Sequence, residues 1–217
     1  MRRNLLRSLS FSLILAATAQ AGAATPSAAS SPADVVQGTT TELLTRIRSH
    51  QAEYRAEPMK FYRVVDELVL PHFDWAYISK LILARNWADA SQAQRDRFAS
   101  AFQSMLIKTY ADALLEYHDA AKIEWLGSET HPSKPLARVS SQLVRSDGPP
   151  IPVGFAMHQD AQQWKVYDIS IDSVSLVNSF RGQFNAEIRS NGLDALIQRL
   201  EQTKIKSAKE VSSQISG

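Results

Sequence analysis

Few side chains in this 217-residue chain have the types and the spacing that catalysis or metal binding requires. The histidines are His50, His72, His118, His131 and His158. No two of them lie three or four residues apart, so the sequence predicts no helical metal site. Ser140 and Ser141 lack the Gly-x-Ser-x-Gly motif of many hydrolases, and the chain has no Gly-rich phosphate loop. We therefore predict neither a bound metal nor a catalytic nucleophile.

Two further pairs of side chains could take part in acid/base chemistry. His72 and Asp74 lie two residues apart in the sequence LPHFDW, where such a pair more often caps the following helix. Asp168 and Asp172 alternate with the apolar residues of a predicted strand, and an inward carboxylate could act as a base. Alternatively, they pair with arginine or cap a helix that begins near Ser173. We favour capping for Asp74, favour pairing with arginine or capping for Asp168 and Asp172, and predict no catalytic residue.

The N-terminal residues have the pattern of a cleaved secretory signal. Arg2, Arg3 and Arg7 precede an apolar run from Leu9 to Ala17, and small residues follow up to Ala23. The apolar run is shorter than the ~20 residues that a membrane-spanning helix needs, so an integral membrane protein is not expected. No cysteine follows the small residues, which argues against a lipoprotein anchor. We predict a signal peptide over residues 1–23 and export from the cytoplasm.

Composition narrows the class of protein further. The chain has 24 basic and 22 acidic side chains, and loss of the three N-terminal arginines would leave 21 basic groups against 22. That balance argues against nucleic-acid binding. The chain has no cysteine, so an exported product must be stable without disulfides. We expect a flexible leader at 24–33, a single domain at 34–203 and a polar tail at 204–217.

Hydrophobic periodicity predicts helices, then strands, then helices again. Helices are predicted from an Asp34 cap, from Pro58, from about Asp74 to Leu83, and from Ser91 to Tyr117, where Ser91 and Gln94 match a capping box. Strands are predicted at Lys122–Leu126, Leu136–Arg145, Ile151–His158 and Trp164–Ile171. A C-terminal helix breaks at Asn191-Gly192 and resumes at Leu193. This order predicts an α+β fold in which helices pack on a curved antiparallel sheet of about four strands, an NTF2-like arrangement.

Two segments give the chain a family resemblance. They are LPHFDWAYISKLILARNW, from Leu70 to Trp87, and WKVYDISIDSVSLVNSFRGQFNAEIRSNGLDALIQRL, from Trp164 to Leu200. With the helix between them, they resemble the MlaC family, also called the toluene-tolerance or ABC-transporter auxiliary family. The resemblance covers roughly Asp34 to Gln202. Two positions depart from the family pattern, since Ala84 stands where a glycine is expected and Phe180 where a tyrosine is common.

The resemblance implies a periplasmic phospholipid carrier that uses no cofactor and acts as a monomer. In the family, such carriers shuttle glycerophospholipids between two membrane complexes and so maintain the lipid asymmetry of the outer membrane. The implied partners are MlaA with a porin in the outer membrane, and the MlaD ring of the MlaFEDB transporter in the inner membrane. Tolerance to solvents would follow from that role.

The candidate lipid site consists of apolar rows on the predicted helices and strands. On composition alone, the apolar side chains of the helices and strands would pack against one another and leave no cavity, since protein interiors contain few large voids. The resemblance instead implies a deep apolar cavity for acyl tails. Its predicted lining is Ile78, Leu81, Ile82, Phe98, Phe102, Met105, Tyr110, Val139, Leu143, Val153, Phe155, Met157, Ile169, Ile171, Val174 and Val177.

Basic residues near the expected cavity mouth are candidates for contact with the phosphate of a head group. Lys80 and Arg85 suit a phosphate chemically, although a solvated helix face is the simpler interpretation of both. Arg181 and Arg189 could make the same contact or face a partner protein.

Two alternative functions belong to other classes. An NTF2-like enzyme would use Asp168 or Asp172 in a smaller and wetter pocket. A protein-binding module would have a filled core and an exposed apolar patch. The volume of the cavity distinguishes these alternatives, because long acyl chains need the most space.

Overall fold

The computed structural model describes residues 30–117, 121–145 and 148–202. The predicted signal peptide, most of the predicted leader, His118 and the predicted tail lie outside the described residues. Within these ranges, no helix combines the length and the apolar content that crossing a bilayer would demand.

Helices form both ends of the described chain. They are α1 (Pro32–Ala56), α2 (Pro58–Leu68), α3 (Trp75–Leu83), α4 (Asn86–Asp89), α5 (Gln92–Tyr117), α6 (Leu176–Asn191) and α7, which is helical at 193–202. A short 3-10 turn, Leu70–His72, separates α2 from α3. The predicted break between α6 and α7 is confirmed, because Gly192 ends α6 with a φ of 85°.

Local capping chemistry sets where the helices begin. Helix α1 starts two residues before the predicted Asp34 cap, and Ser31 is its N-cap. Ser31 Oγ accepts a hydrogen bond from Asp34 N at 3.1 Å, and Asp34 Oδ2 accepts one from Ser31 N at 3.0 Å. The prediction of Asp34 as the cap was therefore wrong, because Asp34 supplies the reciprocal half of a capping box. The predicted box of Ser91 and Gln94 is confirmed at the start of α5.

The strands form one antiparallel sheet in sequence order. They are β1 (Ala121–Thr130), β2 (Leu136–Arg145), β3 (Ile151–Asp160), β4 (Gln163–Ile171) and β5 (Val174–Ser175). The four predicted strands are confirmed, and β2 has the predicted bounds. The fifth strand was not predicted, because two residues are too short to show an alternating pattern.

Two bulges interrupt the regular pairing of the sheet. One lies in β1 between Trp125 and Gly127, where Gly127 has a φ of 127° that side chains rarely permit. The other lies opposite Ala156 and Met157 in β3, where the register with β4 shifts by one residue. Bulges increase strand twist and bending, which accounts for the curvature of the sheet.

Helix α5 is shared by two apolar clusters. Its N-terminal half contributes Phe98, Ala101 and Phe102 to a core with α3, α6 and α7. Its C-terminal half contributes Ala111 and Leu115 to a second core with α1 and α2. In the first core the ring of Phe102 makes edge contacts with the rings of Phe180 and Phe184, at centroid distances of 5.1 and 5.8 Å. These contacts fix the helices as one layer against which the sheet packs.

The junction between α3 and α4 contains an unfavourable backbone conformation. Ala84 has φ 51° and ψ −117°, a combination that a residue with a Cβ rarely adopts. Such conformations cost on the order of 1–3 kcal/mol when the residue is not glycine. The family resemblance predicts glycine at this position. Glycine has no Cβ and would adopt this backbone conformation without strain, which explains the preference.

We predict that Ala84→Gly raises the free energy of unfolding by about 1 kcal/mol, because glycine removes this strain. Urea denaturation followed by circular dichroism would measure the change. The matched control is Ala186→Gly on the exposed side of α6, which should lower stability by about 1 kcal/mol. A loss of stability in both variants would contradict the assignment of strain to Ala84.

Candidate functional site

The register of the sheet brings the apolar strand residues onto one face. Val139 pairs with Phe155, and Phe155 pairs with Ile169. Because side chains alternate along a strand, the residues two positions away share this inward face. The inward face contains the candidates Val139, Leu143, Val153, Phe155, Met157, Ile169 and Ile171. Ile123 and Trp125 of β1 extend the same face, although the sequence analysis did not include them.

Within the described part of the chain, α1 packs on one half of the inward face. Val36 of α1 packs against Ala137, Val139, Met157 and Val166, which are all buried.

Toward the other end of the face, the side chains become accessible to solvent. Leu143, Ile151 and Val153 are half-buried, and Ile171 is 38% exposed. Val174, which follows in β5, is 56% exposed. The apolar face therefore continues beyond the part that α1 covers, and we call the segment formed by Leu143, Ile151, Val153 and Ile171 the open end.

An apolar cavity of about 50 Å³ lies between the sheet and helices α3, α5 and α6. It is lined by Phe73, Trp75, Ile78, Phe102, Leu106, Tyr167, Asp168, Ile169, Leu176, Val177 and Phe180. Four of these were predicted lining residues, namely Ile78, Phe102, Ile169 and Val177. Ile169 also belongs to the inward face, so the cavity adjoins that face.

The cavity is smaller than a lipid requires. A water molecule occupies roughly 30 Å³ in the liquid, and pockets for small molecules measure about 300–1,000 Å³. Large side chains such as Phe102 and Phe180 fill the space between the sheet and the helices, as close packing of an interior demands. Acyl chains could enter only if these side chains moved apart.

The remaining candidates lie outside the cavity lining. Ile82 and Phe98 are fully buried in the core of α3, α5, α6 and α7, and Leu81 and Met105 are partly buried against it. Tyr110 is 44% exposed on α5.

The two predicted head-group residues are also separate from the cavity. Lys80 is exposed on α3. Arg85 lines a polar groove beside α6.

Asp168 holds the start of α6 against the cavity wall. Its Oδ1 accepts a hydrogen bond from Val177 N at 3.0 Å, and its Oδ2 accepts one from Ser175 Oγ at 2.6 Å. Ser175 is the N-cap of α6, and its Oγ accepts a hydrogen bond from Asn178 N. Both carboxylate oxygens thus stabilise the strand-to-helix junction, as the capping interpretation expects. Asp172 is exposed in the turn that precedes β5.

Asp74 also stabilises the start of a helix. Its carboxylate contacts His158, and not His72, which is closer in sequence. Its Oδ1 accepts a hydrogen bond from Tyr77 N at 2.8 Å, which caps α3. Its Oδ2 lies 2.9 Å from Nε2 of His158 on β3. The capping interpretation of Asp74 is confirmed, and its carboxylate also ties the sheet to α3.

His72 lies in the 3-10 turn and is partly buried. Burial, together with the charge of Lys165, lowers the pKa of its imidazole. Among the residues that the structure describes, no group of three or more acidic or histidine side chains could hold a metal ion.

Arg145 is a candidate that the sequence analysis missed. It follows Leu143 by two positions in β2, so it occupies the inward face next to the open end. Its Nε is buried and has no hydrogen-bond partner among the residues that the structure describes. A buried guanidinium nitrogen without an acceptor is energetically costly. The alternation of β2, continued to its last residue, could have identified this position.

Comparison with known proteins gives consistent matches. A family profile described as MlaC protein matches residues 37–202. The toluene tolerance protein ttg2D of Pseudomonas putida is 31% identical over 172 residues, which is 77% of each chain. The intermembrane phospholipid transport system binding protein MlaC of Haemophilus influenzae is 23% identical over 179 residues, which is 81% of this chain and 83% of the relative.

A solved structure has the same fold. It is that of a phospholipid-binding protein from Ralstonia solanacearum in complex with a phospholipid. The TM-score is 0.73, with 82% of this chain and 99% of the solved chain covered at 23% identity.

We predict that Asp168→Asn lowers the free energy of unfolding by about 1–2 kcal/mol, because an amide replaces the charged acceptor at the start of α6. Thermal and urea unfolding would measure the loss. The exposed Asp172 provides the control, and Asp172→Asn should change stability by less than about 0.5 kcal/mol. Equal stability of the two variants would show that Asp168 does not support α6.

Proposed function

The chain belongs to the MlaC family, and on that basis we propose that it binds glycerophospholipid between its sheet and helices α3, α5 and α6. The acyl chains would lie against the inward face and enter through the open end. The lining would combine the inward-face candidates with Ile78, Phe102 and Val177 around the cavity. Phospholipid is also the ligand of the solved protein from Ralstonia solanacearum, which supports this choice.

The observation that carries the proposal is the uncovered half of the inward face. Apolar side chains continue along β2, β3 and β4 to Leu143, Ile151 and Ile171, although α1 covers only the other half. Contiguous apolar surface of this kind usually marks a binding site in a protein that is otherwise polar outside. The open end also adjoins the cavity through Ile169, so a tail that enters there can reach the interior.

The energetics of lipid transfer account for a binding role without catalysis. Two acyl tails contain ~30 methylene groups, and exposing each to water costs about 0.8 kcal/mol, or on the order of 20 kcal/mol in all. An apolar site offsets most of this cost, and a bilayer offsets it about equally. The free energy of transferring lipid between a membrane and this protein can therefore be nearly zero, and no reacting group is required. The position of Asp168 as a helix cap supports this non-enzymatic role.

Loading would require space to open between the inward face and α1, which packs on β2. Among the described residues, the polar contacts that join the sheet to α3 and α6 lie at Val166 and Asp168 of β4 and at His158 of β3. The contact of β2 with Val36 is apolar and has no directional requirement. We therefore propose that β3 and β4 stay joined to α3 and α6 while β1 and β2 separate from α1 to admit the tails.

We further propose that the protein acts in the periplasm as a shuttle between an outer-membrane complex and an inner-membrane transporter. The predicted signal peptide and the name of the relative from Haemophilus influenzae support this role. In this proposal the carrier receives lipid from MlaA with a porin and exchanges it with the MlaD ring of MlaFEDB, which maintains outer-membrane asymmetry. The energy for directional transport would come from the partners.

Glycerophospholipid should co-purify with the protein and be detected by native mass spectrometry. Leu143→Glu should lower the retained lipid by about tenfold or more, because it places a carboxylate among the acyl tails. Val144 is the matched control, since it is also half-buried but points to the opposite face of β2. Val144→Glu should retain lipid as the natural sequence does, and equal loss in both variants would argue against a site on the inward face.

Arg145 is our proposed contact for the lipid phosphate, because it lies on the inward face next to the open end and its buried Nε has no acceptor among the described residues. Lys80 is instead exposed on α3, and Arg85 lines the groove beside α6. Arg145→Gln should reduce retained phospholipid by about threefold to tenfold while binding of an uncharged diacylglycerol stays unchanged. Lipid extraction and mass spectrometry after equilibration with each lipid would measure both. Equal loss of both lipids would show that Arg145 supports the fold and does not contact phosphate.

A further inference from the structure

A second concave site lies on the far side of α6 from the cavity. It is a surface groove of about 540 Å³ between α6 and the junction of α3 with α4. Its lining residues are Ala84, Arg85, Asn178, Arg181, Gly182, Asn185 and Arg189. Three of the seven are arginines and none is acidic, so the groove is strongly basic.

Helix α6 separates this groove from the apolar core. Its core side carries Val177, Phe180, Phe184 and Ile188. Its groove side carries residues that recur three or four positions apart, which places them in one stripe. Arg181 and Arg189 lie roughly 12 Å apart along this stripe, given the helical rise. The groove therefore presents two separated positive charges on one helix and a third, from Arg85, on the opposite wall.

The positive charges of the groove are not neutralised by the part of the chain that the structure describes. No described carboxylate forms an ion pair with Arg85, Arg181 or Arg189. Elsewhere, Arg97 pairs with Glu201 at 2.8 Å, and Arg199 pairs with Glu187 at 2.7 Å. The guanidinium groups of the three groove arginines are therefore available to pair with an anion from another molecule.

The base of the groove is held rigid by an amide network. Asn185 Nδ2 donates hydrogen bonds to Ile82 O and Arg181 O, both at 2.8 Å. Asn185 Oδ1 accepts a hydrogen bond from Asn86 Nδ2, which joins α4 to α6. The strained Ala84 lies directly before Arg85 in the same wall. Because these contacts fix both walls, the arginines need little reorganisation to bind a ligand.

Gly182 provides a second, independent observation. It lies within α6, where glycine is among the least favourable residues. A Cβ added to Gly182 would have no neighbouring atom within 4 Å, so packing inside this chain does not require glycine there. A residue without a side chain in the floor of a groove allows another backbone to approach closely.

We propose that this groove docks an acidic segment of a partner protein, with carboxylates paired to Arg85, Arg181 and Arg189. Guanidinium groups bind carboxylates through two parallel hydrogen bonds, which favours a partner with Asp or Glu side chains at matching spacing. A membrane surface fits the groove less well, because surfaces that bind lipid bilayers combine basic residues with exposed large apolar side chains, and the lining has none. The inference rests on the proposed function, in which lipid passes between docked proteins.

A fluorescently labelled hexaglutamate peptide serves as the probe, and fluorescence anisotropy measures its binding to the full chain. Arg181→Glu combined with Arg189→Glu should weaken binding by about tenfold or more, and added salt should weaken binding to the natural sequence. The matched control combines Arg55→Glu with Arg63→Glu, two exposed arginines of α1 and α2, and makes the same change in net charge. That control should bind within about twofold of the natural sequence.

Other outcomes of this experiment would overturn the proposal. One is the absence of peptide binding by the natural sequence, and another is an equal loss in the groove variant and the control. A third is binding to vesicles of phosphatidylcholine and phosphatidylglycerol that depends on Arg181 and Arg189 while the peptide does not bind. Phospholipid retention should be unchanged in the groove variant. If the natural sequence retains lipid but does not bind the peptide, the docking proposal is refuted and the proposed lipid site is not.

Gly182 allows a test that leaves the charge unaltered. Gly182→Trp should fill the floor of the groove and weaken peptide binding by about tenfold, although every arginine is retained. Gly182→Ala, which adds one methyl group, should bind nearly normally and raise the melting temperature. Normal peptide binding by Gly182→Trp would show that the partner does not enter the groove.

Discussion

The structure depends on a sheet whose apolar face is wider than the helices that cover it. Curvature from two bulges turns this face inward, and Val36 of α1 buries only the half that contains Val139 and Met157. A chain that had merely to be stable would cover the other half as well, because each buried methylene contributes about 0.8 kcal/mol. In the proposed function, the uncovered half would lower the stability of the fold and leave the apolar face accessible to lipid.

Much of the fold could be predicted from the sequence, because local signals and tertiary packing agree in most elements. The alternating pattern of Leu136–Arg145 gave the bounds of β2, and Ser91 with Gln94 marked the start of α5. Asn191-Gly192 marked the break after α6 for a comparable reason, since glycine takes the positive φ without strain. In each case the residue types that favour the local conformation also suit the packing around it.

The candidate site was less predictable, because it depends on how side chains from distant segments meet. Helical periodicity could not separate Phe102, which lines the cavity, from Phe98, which is buried one turn away in the same core. The volume of the cavity is set by the packing of rings from α5 and α6, which no single segment encodes. Arg145 was missed because an arginine at the end of a strand usually indicates solvent, and only the sheet register shows that it lies on the inward face.

The edge-to-face rings of Phe102, Phe180 and Phe184 have a consequence for the proposed carrier function, in which the protein would return without lipid. If acyl tails leave the site, these rings can pack against one another. The lipid-free protein then does not contain a large empty apolar cavity. Contraction recovers much of the van der Waals energy that departing lipid takes away. In the proposed cycle, the lipid-free state would then have little energetic penalty, and a single protein could be loaded and unloaded repeatedly.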